Sequence, residues 1–182
     1  MKKFVISSLL SIGLLTSSYA YEQNGELQVK WTGFKTEKKA PVSGSFKDIS
    51  LNIKKADELS SFLKSANVKI KTASFDSKNP FRDKNITSTL FSLATAQTIE
   101  GSISDVDTQK QMLTLDLTMN EVTNKVPMKY EIKDNSIIAK GTIEILDYKM
   151  KDSFMQFAKK CAGFHQNKSF SDVNIEFTLP YK

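Results

Sequence analysis

Polar and apolar residues alternate with a period of two along most of the chain, and this pattern constrains the fold more than any other feature. In residues 113–119 every odd position is Leu or Met and every even position is Thr or Asp. Side chains of a β-strand point alternately to its two faces, so the pattern predicts strands with one buried and one solvent-exposed face. Comparable stretches begin near residues 27, 49, 68, 126, 143 and 173.

Such alternation is typical of antiparallel sheets, since strands buried in parallel sheets are apolar throughout. About eight strands of this kind in one domain predict an all-β fold, either a closed barrel or a sandwich. No internal repeat, low-complexity tract or interdomain linker divides residues 21–182, which therefore predict a single domain.

Three segments break the alternation and place apolar residues at helical spacing instead. They are residues 57–66, 82–98 and 151–162. In the last of them Phe154, Phe157 and Cys161 share one stripe, and Gly163 follows as a plausible helix stop. The sequence thus predicts short helices added to a β-fold.

Residues 1–20 have the composition of a secretory signal peptide. Lys2 and Lys3 precede an apolar stretch, and residues 18–20 offer the small side chains that a signal peptidase reads. An uncleaved anchor is the competing interpretation, but the apolar run stops well short of ~20 residues. The sequence predicts cleavage before Tyr21 and a periplasmic or secreted protein.

Charge and cysteine content exclude several other classes. The formal net charge is +6, but the lysines are scattered and alternate with apolar residues, whereas nucleic-acid binding needs a clustered patch. No later apolar run is long enough to cross a bilayer, so no transmembrane span is expected. Cys161 is the only cysteine and cannot form an internal disulfide; burial is the simplest expectation for it.

Residues with catalytic potential are scarce. His165 is the only histidine, and Gly163 separates it from Cys161. No third group at metal-ligand spacing accompanies the pair, and no glycine-rich phosphate loop is present. A packed thiol and a surface imidazole are therefore expected, with no enzymatic activity, no metal and no cofactor.

Arg82 is the only arginine among 26 basic Lys and Arg residues. Its planar guanidinium presents a fork of donors that lysine cannot reproduce. Two interpretations remain open: a contact to a ligand head group at a cavity mouth, or an ion pair with a carboxylate that fixes a strand-to-helix loop.

Aromatic and sulfur-containing side chains are numerous, with twelve Phe, six Met and one Trp. A barrel of about eight strands is just wide enough for one slender ligand. Phe and Met could line a cavity for a flexible acyl or prenyl chain. Periodicity alone does not distinguish such a cavity from a filled core.

Several segments, taken in order, resemble the YceI-like family of exported lipid-binding proteins. The resemblance lies in Trp31 with residues 42–46 (Val-Ser-Gly-Ser-Phe), in residues 74–77 followed by Asn79 and Arg82-Asp83, in Leu90-Phe91, and in residues 115–130 and 171–175. The sequence departs from the family pattern at Glu121, Ser77 and Phe81, in residues 147–150, and in the insertion-like residues 151–170.

The resemblance implies a lipocalin-like antiparallel barrel whose elongated cavity takes an amphiphile with a long apolar tail, such as a polyisoprenoid, a quinone-like molecule or a fatty-acid derivative. It also implies a periplasmic or secreted location, no catalysis and, as in several members, a homodimer. Asn79, Arg82 and Asp83 are candidates for the cavity mouth or for holding its loop. The predicted cavity-wall residues are Trp31, Phe46, Phe75, Leu90, Phe91, Leu115, Leu117, Met119, Met128, Tyr130 and Phe177, with Phe154 and Phe157 as a helical lid.

Two rival functions remain beside this binding protein. One is a secreted interaction module with a filled barrel, acting through its lysine-rich face or through residues 151–170. The other is a hydrolase, which would have to depend on Cys161 or His165 because no other nucleophile or base stands out.

Overall fold

A computed structural model describes residues 20–94 and 96–182 of the chain. Ten strands form one sheet of entirely antiparallel pairs, in the order β3-β4-β6-β7-β8-β9-β10-β1-β2-β5. The strands are β1 (Gln28–Lys35), β2 (Ala40–Phe46), β3 (Ile49–Asn52), β4 (Asn67–Lys71), β5 (Phe75–Asp76), β6 (Thr98–Asp107), β7 (Met112–Met119), β8 (Val122–Lys133), β9 (Ser136–Glu144) and β10 (Asp172–Pro180).

The sheet curls into a half-barrel, which confirms the predicted all-β, lipocalin-like architecture. Two of the ten strands are short: β3 has four residues and β5 has two, and they form the two edges of the sheet. Isolated bridges tie the chain before β1 to its surroundings, joining Tyr21 to Ala56 and Gln23 to Tyr181. The signal peptide predicted for residues 1–20 falls almost wholly outside the described residues.

The predicted alternation is visible in the burial of the strands. In β7, Leu113, Leu115, Leu117 and Met119 are buried, while the residues between them are partly exposed. β6 is a long strand that the apolar pattern did not reveal, because Gly101, Ser102 and Ser104 interrupt it.

Three helices are present where helical spacing was predicted, and all three are shorter than their predicted segments. They are α1 (Leu59–Lys64), α2 (Pro80–Ile86), which continues as one π-helical turn (Thr87–Phe91), and α3 (Lys151–Cys161). Gly163, the predicted helix stop, lies in a 3₁₀ turn just after α3. Its φ is not positive, so it does not end the helix as a left-handed glycine cap.

The second helical segment ends well before residue 98. The Thr72 hydroxyl donates hydrogen bonds to the carbonyls of Ala96 (2.8 Å) and Gln97 (3.0 Å), and the Thr72 N–H also donates to Gln97. These tertiary contacts hold the backbone extended into β6, so local helical spacing does not decide its conformation.

One end of the barrel interior is filled by side chains. Phe62 from α1 is fully buried, and Tyr21 stacks on its ring at 6.0 Å between centroids and packs against Tyr181 at 5.3 Å. Met128 and Tyr130 on β8 are also buried, with 0% and 2% of their surfaces exposed. We call this region the filled end.

Candidate functional site

An apolar cavity of about 230 Å³ lies inside the curled sheet, beside the filled end. Its walls come from the sheet and from all three helices. The inward-facing residues of β1, β7 and β10 supply much of the surface, as with Trp31, Leu117 and Ile175. The barrel is therefore not solidly packed, contrary to what a filled interaction module would require.

Most of the predicted wall residues line this cavity. They are Trp31, Phe46, Phe75, Leu90, Phe91, Leu115, Leu117, Met119, Phe154, Phe157 and Phe177. Whether they contact a ligand stays a prediction.

Met128 and Tyr130 are not among the lining residues. Both point inward, as the alternation predicted, but they belong to the filled end. Burial raises the pKa of Tyr130, and the charges of Asp107 and Tyr21 raise it further. Both side chains are thus packed into the interior and do not border the cavity.

Other wall residues were not singled out from the sequence. They include Leu51, Leu63, Ile86, Met150, Val173 and Ile175. Val173 and Ile175 lie on the inner face that the alternation of β10 defines, so they could have been predicted as wall residues from the sequence. Leu63 and Ile86 lie on the apolar stripes of their predicted helices, but helical spacing does not say which part of the interior a stripe contacts. Met150 directly precedes α3, outside its stripe.

The aromatic wall depends on a glycine. Trp31 stacks on Phe75 with 4.4 Å between ring centroids, and Phe46 packs edge-on against Phe75. A Cβ atom on Gly44 would lie 2.5 Å from Trp31 Cζ2 and 2.5 Å from the backbone oxygen of Asp76. The small residue at position 44 is therefore what lets the indole lie flat against β2.

Leu90 and Phe91 reach the cavity from the π-helical turn. Here the Ser92 N–H bonds to the carbonyl of Thr87, five residues back, while the hydroxyls of Thr87 and Thr89 bond to carbonyls one turn earlier. Hydroxyls that compete for backbone carbonyls widen or bend helices. Single π-helical turns frequently occur at functional sites.

Basic groups meet at one end of the cavity, which we call the polar end and define by Lys35, Arg82 and His165. All three line the cavity. The backbone of Lys35 bridges to Ser169, and His165 Nδ1 lies 2.7 Å from the Ser169 hydroxyl. Burial lowers the pKa of His165, and the positive charges of Lys35 and Arg82 lower it further.

Asn79 and Asp83 hold the loop that presents Arg82 and do not themselves line the cavity. The Asn79 side chain caps α2 by accepting a 3.0 Å bond from the Arg82 N–H. Asp83 accepts bonds from the N–H and the hydroxyl of Ser77, at 2.9 and 2.5 Å. Of the two roles considered for Asn79 and Asp83, their contacts fit the loop-holding one.

Arg82 lacks the clamp that the alternative interpretation required. Within residues 20–94 and 96–182, no carboxylate oxygen lies within 4.0 Å of its guanidinium. Glu176, the one carboxylate residue on the cavity lining, is bound by Lys140 at 3.5 Å. The polar end therefore carries unneutralised positive charge.

Cys161 and His165 lie on the same cavity, a juxtaposition that the sequence did not predict, since a surface imidazole was expected. Cys161 is buried, as expected, with 5% of its surface exposed. Burial raises the pKa of its thiol and disfavours the thiolate, which is the nucleophilic form. The described residues contain no group of three His, Cys, Asp or Glu side chains placed to hold a metal ion.

The fold is similar to those of several solved structures. A polyisoprenoid binding domain from Saccharophagus degradans, implicated in plant cell wall breakdown, superimposes with a TM-score of 0.60 at 15% identity, covering 89% of this chain and 97% of that one. BcnA from Burkholderia cenocepacia gives 0.57 at 18% identity, covering 84% and 94%. The YCEI protein of Campylobacter jejuni gives 0.56 at 19%, covering 79% and 86%.

Comparison with curated protein sequences found no match. Among the described residues, no helix has the length and apolar character needed to cross a membrane. The model of the YceI-like domain matches residues 20–180, which is nearly the whole described chain. With this match, the resemblance drawn from Trp31, Gly44 and Arg82 is confirmed: the chain belongs to the YceI-like family.

Proposed function

We propose that the protein binds a long-chain amphiphile, with the apolar tail in the cavity and the head group at the polar end. The observation that carries this proposal is the distribution of side chains along one cavity. Aromatic and aliphatic groups line most of it, and Lys35, Arg82 and His165 meet at one end. Membership in the YceI-like family supports a lipid- or isoprenoid-binding role.

Burial of the tail supplies the free energy of binding. Each Å² of apolar surface removed from water contributes ~25 cal/mol, and the entropy lost on association offsets part of it. The guanidinium of Arg82 and the ammonium of Lys35 donate hydrogen bonds but cannot accept them. A head group that accepts hydrogen bonds or carries negative charge fits this end best.

We also propose that the protein acts as a carrier or store in an exported compartment, after cleavage before Tyr21, and that it catalyses no reaction. The composition of residues 1–20 supports export. The raised pKa of Cys161 and the absence of a metal-binding group in the described residues fit a binding role.

Native mass spectrometry of protein purified from its own host's exported fraction tests the proposal directly. We expect a discrete additional mass that organic extraction recovers as a long-chain amphiphile. A mass matching the polypeptide alone, together with no uptake of added prenyl or acyl compounds, would contradict the proposal and favour a protein-interaction role.

A cavity-blocking variant locates the site. Leu117→Trp places an indole in the cavity and should abolish ligand uptake while the fold persists. Thr118→Trp is the matched control, because it adds the same ring to the outer face of the same strand and should leave uptake unchanged. Full occupancy in Leu117→Trp would show that the ligand lies elsewhere.

A further inference from the structure

Two phenylalanines are exposed beside the polar end of the cavity. Phe81 on α2 and Phe164 after α3 leave 61% and 62% of their surfaces exposed. Their rings nevertheless pack edge-to-face on each other, with 5.6 Å between centroids. Each precedes a residue that lines the cavity, Arg82 and His165 respectively.

Most of the exposed large apolar side chains lie in the helical segments. Among the described residues six large hydrophobic side chains are exposed, and four of them follow or belong to α2, its π-helical turn and α3: Phe81, Leu93, Met155 and Phe164. Single exposed apolar residues are normal, but two exposed aromatic rings that pack on each other beside cavity-lining residues indicate an interaction surface. We call Phe81 and Phe164 the aromatic tip.

The tip is surrounded by positive charge. The three segments that meet here, residues 34–40, 81–84 and 159–172, contain eight basic side chains against three acidic ones. The basic residues are Lys35, Lys38, Lys39, Arg82, Lys84, Lys159, Lys160 and Lys168. Of the acidic residues, Asp172 is bound by Lys39 at 3.2 Å and Asp83 is hydrogen-bonded to Ser77.

Backbone contacts hold these segments together. The Thr36 N–H donates to the carbonyl of Lys168 at 3.0 Å, and the Phe170 N–H donates to the carbonyl of Phe34 at 3.3 Å. Lys39 and Lys168 both lie over the ring of Phe170, at 4.7 and 5.4 Å from its centroid. His165, which follows Phe164, contacts Ser169, and the Phe164 ring packs on Phe81. The eight basic residues, which we call the basic ring, and the aromatic tip therefore belong to connected segments.

We propose that this surface docks the protein onto an anionic lipid bilayer, with Phe81 and Phe164 inserted at the head-group level and the basic ring against the lipid phosphates. Aromatic side chains flanked by lysines are the pattern of interfacial membrane contacts. Juxtaposed basic residues are attracted by an anionic bilayer surface. Docking in this orientation presents the polar end of the cavity to the membrane.

Cosedimentation with vesicles tests the docking surface. The probes are vesicles of equal parts phosphatidylglycerol and phosphatidylcholine, and vesicles of phosphatidylcholine alone. The protein is expressed from the full sequence, and its N-terminus is verified by mass spectrometry in every variant. We expect Phe81→Ser/Phe164→Ser to lower partitioning into the anionic vesicles by at least about tenfold, because two aromatic side chains no longer insert.

Ile132→Ser is the control for the aromatic substitutions. Ile132 is also exposed, at 43%, but it pairs with Ile137, which pairs with Leu179 at the far end of β10. Leu179 is seven residues along β10 from Asp172, or roughly 25 Å, and Asp172 lies at the end of β10 nearest the aromatic tip. This variant should bind vesicles like the unmodified protein.

The charge contribution is tested with two variants that have the same net charge as each other. Lys159→Glu/Lys160→Glu and Lys129→Glu/Lys133→Glu change the total charge equally, but only the first pair lies beside the tip. We expect the first to abolish binding to anionic vesicles and the second to reduce it about threefold or less. Equal losses in both variants would overturn a localised surface.

Two further outcomes would overturn the proposal. One is no binding to either kind of vesicle. The other is a concentration-dependent dimer in sedimentation experiments that Phe81→Ser/Phe164→Ser disrupts, since the tip would then bind a second copy. Leu117→Trp should still bind vesicles, so a failure of membrane docking is distinguishable from a failure of ligand binding in the cavity.

Discussion

The two ends of the barrel interior are built from the same pattern of sequence and have opposite structures. At the filled end, Phe62, Met128 and Tyr130 pack with at most 2% of their surfaces exposed. At the polar end, Phe154, Phe157 and His165 are only half-buried around open space. Alternation therefore predicts that an apolar residue faces the interior of the barrel. Whether that residue is packed or lines a cavity depends on the side chains that the connecting segments place there.

The largest expected effect comes from breaking the filled end. Phe62→Ala removes a fully buried ring that Tyr21 stacks on, and we expect it to lower the free energy of unfolding by about 3–5 kcal/mol. Phe157→Ala, on the cavity wall, should cost only about 1–2 kcal/mol because part of its surface already faces open space. Urea denaturation measures both; equal losses would mean that the two ends are packed alike.

Gly44 provides the next largest effect. Gly44→Ala places a Cβ atom against the Asp76 backbone and the Trp31 ring, which cannot both move without cost. We expect a loss of about 1–3 kcal/mol and a shift in tryptophan fluorescence, because Trp31 is the only tryptophan. Gly33→Ala on β1 is the control: no atom lies within 4 Å of its Cβ position, so stability should be nearly unchanged.

Acid should loosen the loop that presents Arg82, because the carboxylate of Asp76 is buried there and bound by Lys78. Hydrogen bonding from the Lys78 side chain, then from its N–H, lowers the pKa of Asp76 from 3.8 to about 2. A lowered pKa stabilises the fold above the unfolded value, and this contribution is lost as the pH falls from 3.8 through about 2. Hydrogen exchange in this range should increase around residues 75–83 before it increases at α1. In Asp76→Asn, acid should no longer increase hydrogen exchange around residues 75–83 before it does so at α1.

The smallest effect concerns the head group. We expect Arg82→Gln to weaken binding of a long-chain fatty acid by about tenfold and binding of the matching alcohol hardly at all, because only the carboxylate forms charge-assisted bonds. Isothermal titration measures both ligands. Equal weakening of the two would assign Arg82 a structural role.

The pH dependence of fatty-acid binding gives a second measurement of the same end. Burial and the charges of Lys35 and Arg82 lower the pKa of His165 in the ligand-free protein, which favours the neutral imidazole. A bound anion favours its protonated form, and affinity should therefore rise as the pH falls below about 6.5. His165→Gln should remove this rise without changing affinity at neutral pH.

The sequence by itself determined the architecture and much of the wall. Strict alternation in residues 113–119 and 173–179 determined which side chains face inward. Successive side chains point to opposite faces of a strand, so a shift of one residue in strand pairing would expose every apolar side chain of that strand. Apolar spacing likewise located α3, and the order of short motifs around Trp31, Gly44 and Arg82 identified the family.

The tertiary structure alone decided which inward-facing residues enclose a cavity and where its charge lies. Met128 and Leu117 have the same local pattern, but Met128 is fully buried away from the cavity whereas Leu117 lines it. Lys35, Arg82 and His165 come from three elements that are distant in sequence. Packing between such elements depends on contacts that no local periodicity encodes. The family resemblance suggested Arg82 for the cavity mouth, but its meeting with Lys35 and His165, and the aromatic tip, emerged only in three dimensions.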